Sequence, residues 1–108
     1  MASSRLEILK SMVIRNPRDS FSRYGLAMEY RNTGDLEGAI REFQLLMDVD
    51  PDYVPAYFHA GQTLFRLGRV EEARTVYRNG LAAASRKGDQ HAHSEIQAAL
   101  ELLGQAMA

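Results

Sequence analysis

Gly34 and Gly68 stand 34 positions apart, and the same interval relates a whole set of neighbours. Leu26 pairs with Ala60, Ala27 with Gly61, Tyr30 with Leu64, Ala39 with Ala73 and Phe43 with Tyr77. The register does not slip. An interval held this way means one supersecondary unit laid down twice, each copy burying its apolar face on its neighbour.

The spacing within each copy is helical, and the breaks fall between helices. A first helix is expected over 4–15, ending ahead of Asn16-Pro17, because a residue before proline is pushed out of the helical region. A second runs over 20–33 with Asp19 as its N-cap, and Gly34 stops it. Asp35 caps a third over 36–49, which closes at Asp50-Pro51. The second copy follows the same plan. Asp52 caps a helix over 53–67, with Pro55 tolerated in its first turn. Gly68 ends it, and a fifth helix covers 70–86. Gly88-Asp89 repeats the stop and the cap, and a sixth helix covers 90–106.

The small residues explain how such hairpins close. Ala27 with Ala39, and Gly61 with Ala73, are placed where the two helices of each copy cross, and only a small side chain lets the backbones approach. Phe43 and Tyr77 fill the space beside them, while Tyr30 and Leu64 reach the neighbouring unit. The last helix carries an apolar stripe of Ala92, Ile96, Ala99, Leu100, Leu103 and Met107, with His93, Gln97, Glu101 and Gln105 opposite. One face is buried and the other wetted, as befits a cap on a stacked array.

The copies read Arg23-x2-Leu26-Ala27-x2-Tyr30, Gly34, Ala39-x3-Phe43, Pro51, then Tyr57-x2-Ala60-Gly61-x2-Leu64, Gly68, Ala73-x3-Tyr77, Ser85. This resembles the tetratricopeptide repeat, with an aromatic, a Leu-Gly pair, a Tyr, an Ala-x3-Phe and a closing Pro at this period. The resemblance implies an all-α, right-handed α-solenoid of antiparallel helix pairs, about six helices in one domain over 1–108. In that reading 4–15 is a half-repeat helix, 20–53 and 54–87 are full repeats, and 88–108 is a capping helix. Arg23 departs from the expected aromatic. Gly80 and Ser85 replace what the first copy has at Leu46 and Pro51, which should weaken the second repeat's ending.

Members of the family hold extended peptides or helices in a concave groove lined by the first helix of each repeat. Carried over by position, the groove here is Phe21, Tyr24, Met28, Arg31 and Asn32, then Phe58, His59, Gln62, Phe65 and Arg66. The alternative is that Tyr24, Phe58 and Phe65 only pack between adjacent first helices, since apolar residues at helical spacing are core more often than site. The expected partner is a protein or peptide. Family members that clamp the carboxylate tail of chaperones use Lys, Arg and Asn at positions matching Tyr24, Met28, His59, Asp89 and His93, and none of these is the expected residue. The first helix corresponds to the second half of a repeat. Arg5 takes the place of Ala39 and Ala73, and Leu6, Leu9, Met12 and Val13 lack a partner helix. That is a candidate surface for homodimer formation.

Other classes of function find little support. No catalytic residue, cofactor site or metal site is assigned. The chain has 14 acidic and 13 basic residues and a net charge of -1, without the basic excess of a nucleic-acid binder. It has no cysteine, which removes thiolate and disulfide chemistry. His91 and His93 are two apart and face different ways on a helix, and His59 stands alone, so a metal site is not expected. Glu71-Glu72 and Asp50/Asp52 stand at helix starts, where negative charge complements the dipole. The N-terminus does not read as a secretory signal, and no apolar run approaches the ~20 residues of a membrane helix. A non-enzymatic adaptor in the cytoplasm, without a membrane partner, is the expectation.

Overall fold

A computed structural model describes residues 4–106. Within them run α1 (Arg5–Arg15), α2 (Ser20–Asn32), α3 (Leu36–Val49), α4 (Val54–Arg66), α5 (Val70–Lys87) and α6 (Gln90–Ala106), with no strand. Met107, expected in the stripe of the last helix, lies outside the described residues. The helices stack as antiparallel neighbours into a body of 49 × 29 × 19 Å. Gly34, Gly68 and Gly88 close α2, α4 and α5 at φ of 93, 78 and 67°, a region that costs other residues strain.

Two of the four expected aspartate caps form. Asp35 accepts from the Gly38 amide at 2.8 Å and Asp89 from the Ala92 amide at 3.0 Å. Asp19 occupies the N-cap position, but its carboxylate takes the Ser22 hydroxyl instead of a backbone amide. Asp52 does not cap α4, whose N-cap is Tyr53. A stronger partner holds Asp52: the Arg86 guanidinium at 2.8 Å.

That ion pair also corrects the expectation of a weak second ending. With Ser85 where the first copy has Pro51, α5 continues to Lys87, 18 residues against 14 in α3. The extra length carries Arg86 over the α3–α4 turn, where it bonds Asp52 and the Pro51 carbonyl. The same carbonyl accepts from the Tyr57 hydroxyl at 2.7 Å. One period earlier, Arg23 repeats that device with a different chemistry. It donates to the Pro17 carbonyl at 3.4 Å and pairs with Glu42 at 3.1 Å, largely out of solvent. The missing aromatic is thus replaced by a guanidinium that reaches the equivalent carbonyl.

The core is continuous. Ala27, Ala39, Phe43 and Leu46 are fully buried in the first hairpin, and Ala73, Tyr77, Ala83, Ile96 and Leu103 are buried further along. Met47 and Val76 pack on both groups. Each large side chain removed from water contributes about 1.5–3 kcal/mol. Gly61 lies flat beneath the Tyr77 ring, where a Cβ would overlap the ring atoms. At Gly80 a Cβ would stand 2.6 Å from the Tyr57 Cβ and 3.1 Å from Ile96 Cδ1. The leucine missing at this position is therefore replaced by Tyr57 and by α6 itself.

Gly61→Ala should destabilise the chain by about 1–3 kcal/mol, as overpacking does. Gly104→Ala meets nothing within 4 Å and should be neutral or slightly stabilising through helix propensity. Urea unfolding of both variants checks this. A Gly61→Ala protein as stable as wild type would mean the ring does not lie on that backbone.

Candidate functional site

The ten groove candidates all come from α2 and α4, and the structure sorts them into three kinds. Tyr24, Met28 and Phe58 are half-buried and pack inward. The Tyr24 ring lies 5.4 Å from that of Tyr53, 5.8 Å from His59 and 6.4 Å from Phe43. Phe58 meets His59 edge-on at 5.3 Å. Tyr24 joins α2 to α4, Phe58 packs on the core shared by α4, α5 and α6, and both present only part of their surface. Phe21 and Phe65 are the open ones, 73% and 42% exposed. Asn32 and Arg66, the last residues of α2 and α4, are also exposed.

Between these lies a polar bridge. Arg31 Nη1 stands 2.8 Å from His59 Nδ1, and its Nη2 donates to Gln62 Oε1 at 3.3 Å. A guanidinium can only donate. His59 Nδ1 therefore accepts, and the ring is neutral with its proton on Nε2. Burial, reinforced by the Arg31 charge, holds His59 below the ordinary imidazole range. Burial, with Tyr53 beside it, likewise pushes the Tyr24 phenol up, so its hydroxyl stays protonated at neutral pH.

Beside α4 lies a cleft whose far side the sequence pattern did not assign. It holds about 270 Å³ and is lined by Arg31, Gln62, Phe65 and Arg66 on one side and Ala99, Leu102 and Leu103 on the other, with Tyr77 beneath. Leu102 is 65% exposed. It stands one period after Gly34 and Gly68. Where glycine ended the two earlier helices, α6 runs on and adds an apolar side chain. The absent glycine was the signal. A larger hollow of about 770 Å³ opens between α3 and α5, with Ile40, Leu45, Met47 and Val76 in its lining, and none of the ten candidates borders it.

On α1, the four residues grouped as an open surface divide. Val13 is 9% exposed, Leu6 is half-buried and Leu9 lies against Gly25. Positions 6, 9 and 13 share one helical face, which packs on α2. Met12 points away, 39% exposed, one turn from Ile8 at 49%, while Ile14 at 77% projects from another side of the helix. Arg5 extends sideways to Glu29 at 2.8 Å. Among the described residues, no group of three or more histidine, aspartate or glutamate side chains is placed to hold a metal ion, and no helix is long and apolar enough to cross a membrane.

Stacked antiparallel helix pairs with a side-chain groove along the first helix of each pair define a helical-repeat protein. The tetratricopeptide repeat model matches residues 30–93. A TPR repeat-containing protein of Pseudomonas aeruginosa is 30% identical over 101 residues, covering 94% of this chain and 96% of that protein. The crystal structure of a tetratricopeptide repeat domain protein from Salinibacter ruber is 36% identical, with a TM-score of 0.76, covering 81% of this chain and 97% of that one. The Yersinia enterocolitica type III secretion chaperone SycD, solved with a peptide of the translocator YopD, superposes with a TM-score of 0.85 at 17% identity over 95% of this chain and 79% of its own, a likeness of fold alone. The chain belongs to the tetratricopeptide repeat family, and its fold is the right-handed α-solenoid of that family.

The neutral His59 carries a stability signature. Its pKa is lower folded than unfolded, so as pH drops below ~6.5 the unfolded chain takes up that proton first and stability declines. Above that pH the contribution is fully present. From pH 7 to 5 the melting temperature of wild type should fall more steeply than that of His59→Gln. Parallel profiles would mean that His59 is free to protonate in the folded protein.

Proposed function

We propose that this chain is a non-enzymatic interaction module that holds a peptide or helix of a partner protein in the concave groove of α2, α4 and α6. The exposure of Phe21 and Phe65, at positions that the repeat pattern assigns to the groove, supports this reading. Large rings left in water beside polar side chains are the usual anchors of recognition. Arg31, Asn32, Gln62 and Arg66 would orient the bound segment, and Tyr24, Met28, Phe58 and His59 would form the floor on which it lies. Peptide complexes among proteins of the same fold, such as the Yersinia chaperone bound to its translocator peptide, are in keeping with this use.

A second reading rests on α1. Ile8 and Met12, one turn apart on the same side, leave an apolar face open to water, and a second copy or a larger complex would cover it. The two readings use different surfaces and are compatible. Met12→Glu would convert a dimer built on this face to monomer in sedimentation equilibrium.

The groove is tested by capturing the partner from native lysate with wild type and with Phe21→Ser/Phe65→Ser. Both residues are exposed, so the variant should melt within about 2 °C of wild type, as surface changes do. Each lost anchor should weaken the partner by about 2 kcal/mol, enough to remove it from the captured set. A partner retained at wild-type level would place recognition elsewhere.

A further inference from the structure

Resting on that groove reading, we infer that the cleft between α4 and α6 is a side-chain pocket for a partner segment carrying one large apolar residue flanked by carboxylates. Three observations lead there. The first is shape. The cleft holds about 270 Å³, and an apolar cavity of about 150 Å³ already accommodates a benzene ring. It has room for one phenylalanine, leucine or methionine side chain and not for a helix. The second is lining. Phe65 and Leu102 face each other across the opening and are both in water, so an inserted apolar group would dry both. The extra turn of α6 that supplies Leu102 has no counterpart at Gly34 or Gly68.

The third is charge. Arg31 and Arg66 line the cleft, and no aspartate or glutamate does. Among the described residues neither arginine forms an ion pair; Arg15, Arg18, Arg41 and Arg78 form none either, but Arg31 and Arg66 are the two that line this cleft. Arg31 spends its two terminal nitrogens on His59 and Gln62, which are neutral and leave its charge uncompensated. A carboxylate beside the inserted side chain supplies the missing counter-charge, and guanidinium binds it with directional, charge-assisted bonds. A lysine at the same place meets two like charges, which gives the pocket discrimination as well as affinity.

The test uses the full chain and three fluorescein-labelled twelve-residue Gly/Ser peptides whose central triplets are Asp-Phe-Asp, Lys-Phe-Lys and Asp-Ala-Asp. Fluorescence anisotropy should rank Asp-Phe-Asp at least tenfold tighter than either of the others. Its Kd should rise several-fold between 50 and 200 mM salt. Arg66→Glu should reverse the preference between the acidic and basic peptides, and Leu102→Ser should weaken Asp-Phe-Asp by tenfold with no change in melting temperature. Equal binding of the acidic and basic peptides, absence of binding at millimolar concentration, or indifference to Leu102→Ser would each overturn the assignment. Lysate capture separates the two readings. If Phe21→Ser/Phe65→Ser loses the partner while Arg66→Glu and Leu102→Ser keep it, the groove stands and the acidic-apolar pocket falls. If all keep it, the groove itself is wrong.

Discussion

Helix backbones can come this close only where side chains are nearly absent, and the rest of the molecule follows from that. Ala27 and Ala39 are completely buried in the first hairpin. In the second, Gly61 presents bare backbone to the face of the Tyr77 ring. A methyl group at Gly61 would have to displace an aromatic ring that is itself buried on its other side. This contact sets how far apart α4 and α5 stand, and so where Ile96 and Leu103 of α6 find their seat. The position of α6 along the cleft is therefore decided at the contact between Gly61 and Tyr77.

The departures from the repeat pattern turn out to be exchanges. Arg23 gives up a ring and keeps the bond to a proline carbonyl that Tyr57 makes one period later. Ser85 gives up the proline stop, and α5 uses the added turn to lock Asp52 and Pro51 through Arg86. Gly80 gives up a leucine, and Tyr57 and Ile96 occupy its volume. In each case another contact takes the place of the lost one: from the same position at Arg23, from the next residue of α5 at Arg86, and from α4 and α6 at Gly80.

Helix identity and order were legible because they depend on local chemistry: glycine at left-handed turns, proline as a stop, and apolar spacing. What could not be read depended on competition between distant groups. Asp35 and Asp52 look alike as caps, yet only Asp52 has an arginine from a later helix within reach. Spacing left open whether Tyr24, Phe58 and Phe65 line a groove or pack between helices. Tyr24 and Phe58 are half-buried, Tyr24 against α4 and Phe58 on the core of α4, α5 and α6, while Phe21 and Phe65 are the open pair. Val13 was grouped with Met12 by adjacency, although successive residues on a helix face different ways. Leu102 was missed because its meaning lies in where α6 crosses the end of α4.

Three surfaces compete for a partner: the groove of α2, α4 and α6, the hollow between α3 and α5, and the open face of α1. Amide chemical-shift mapping of the isotope-labelled chain with its captured partner segment distinguishes them in one experiment. The account requires the largest shifts at Phe21, Phe65, Arg66 and Leu102, with Leu45, Val76 and Ile8 unmoved. Shifts gathered around Leu45 and Val76 instead, with the groove silent, would contradict it.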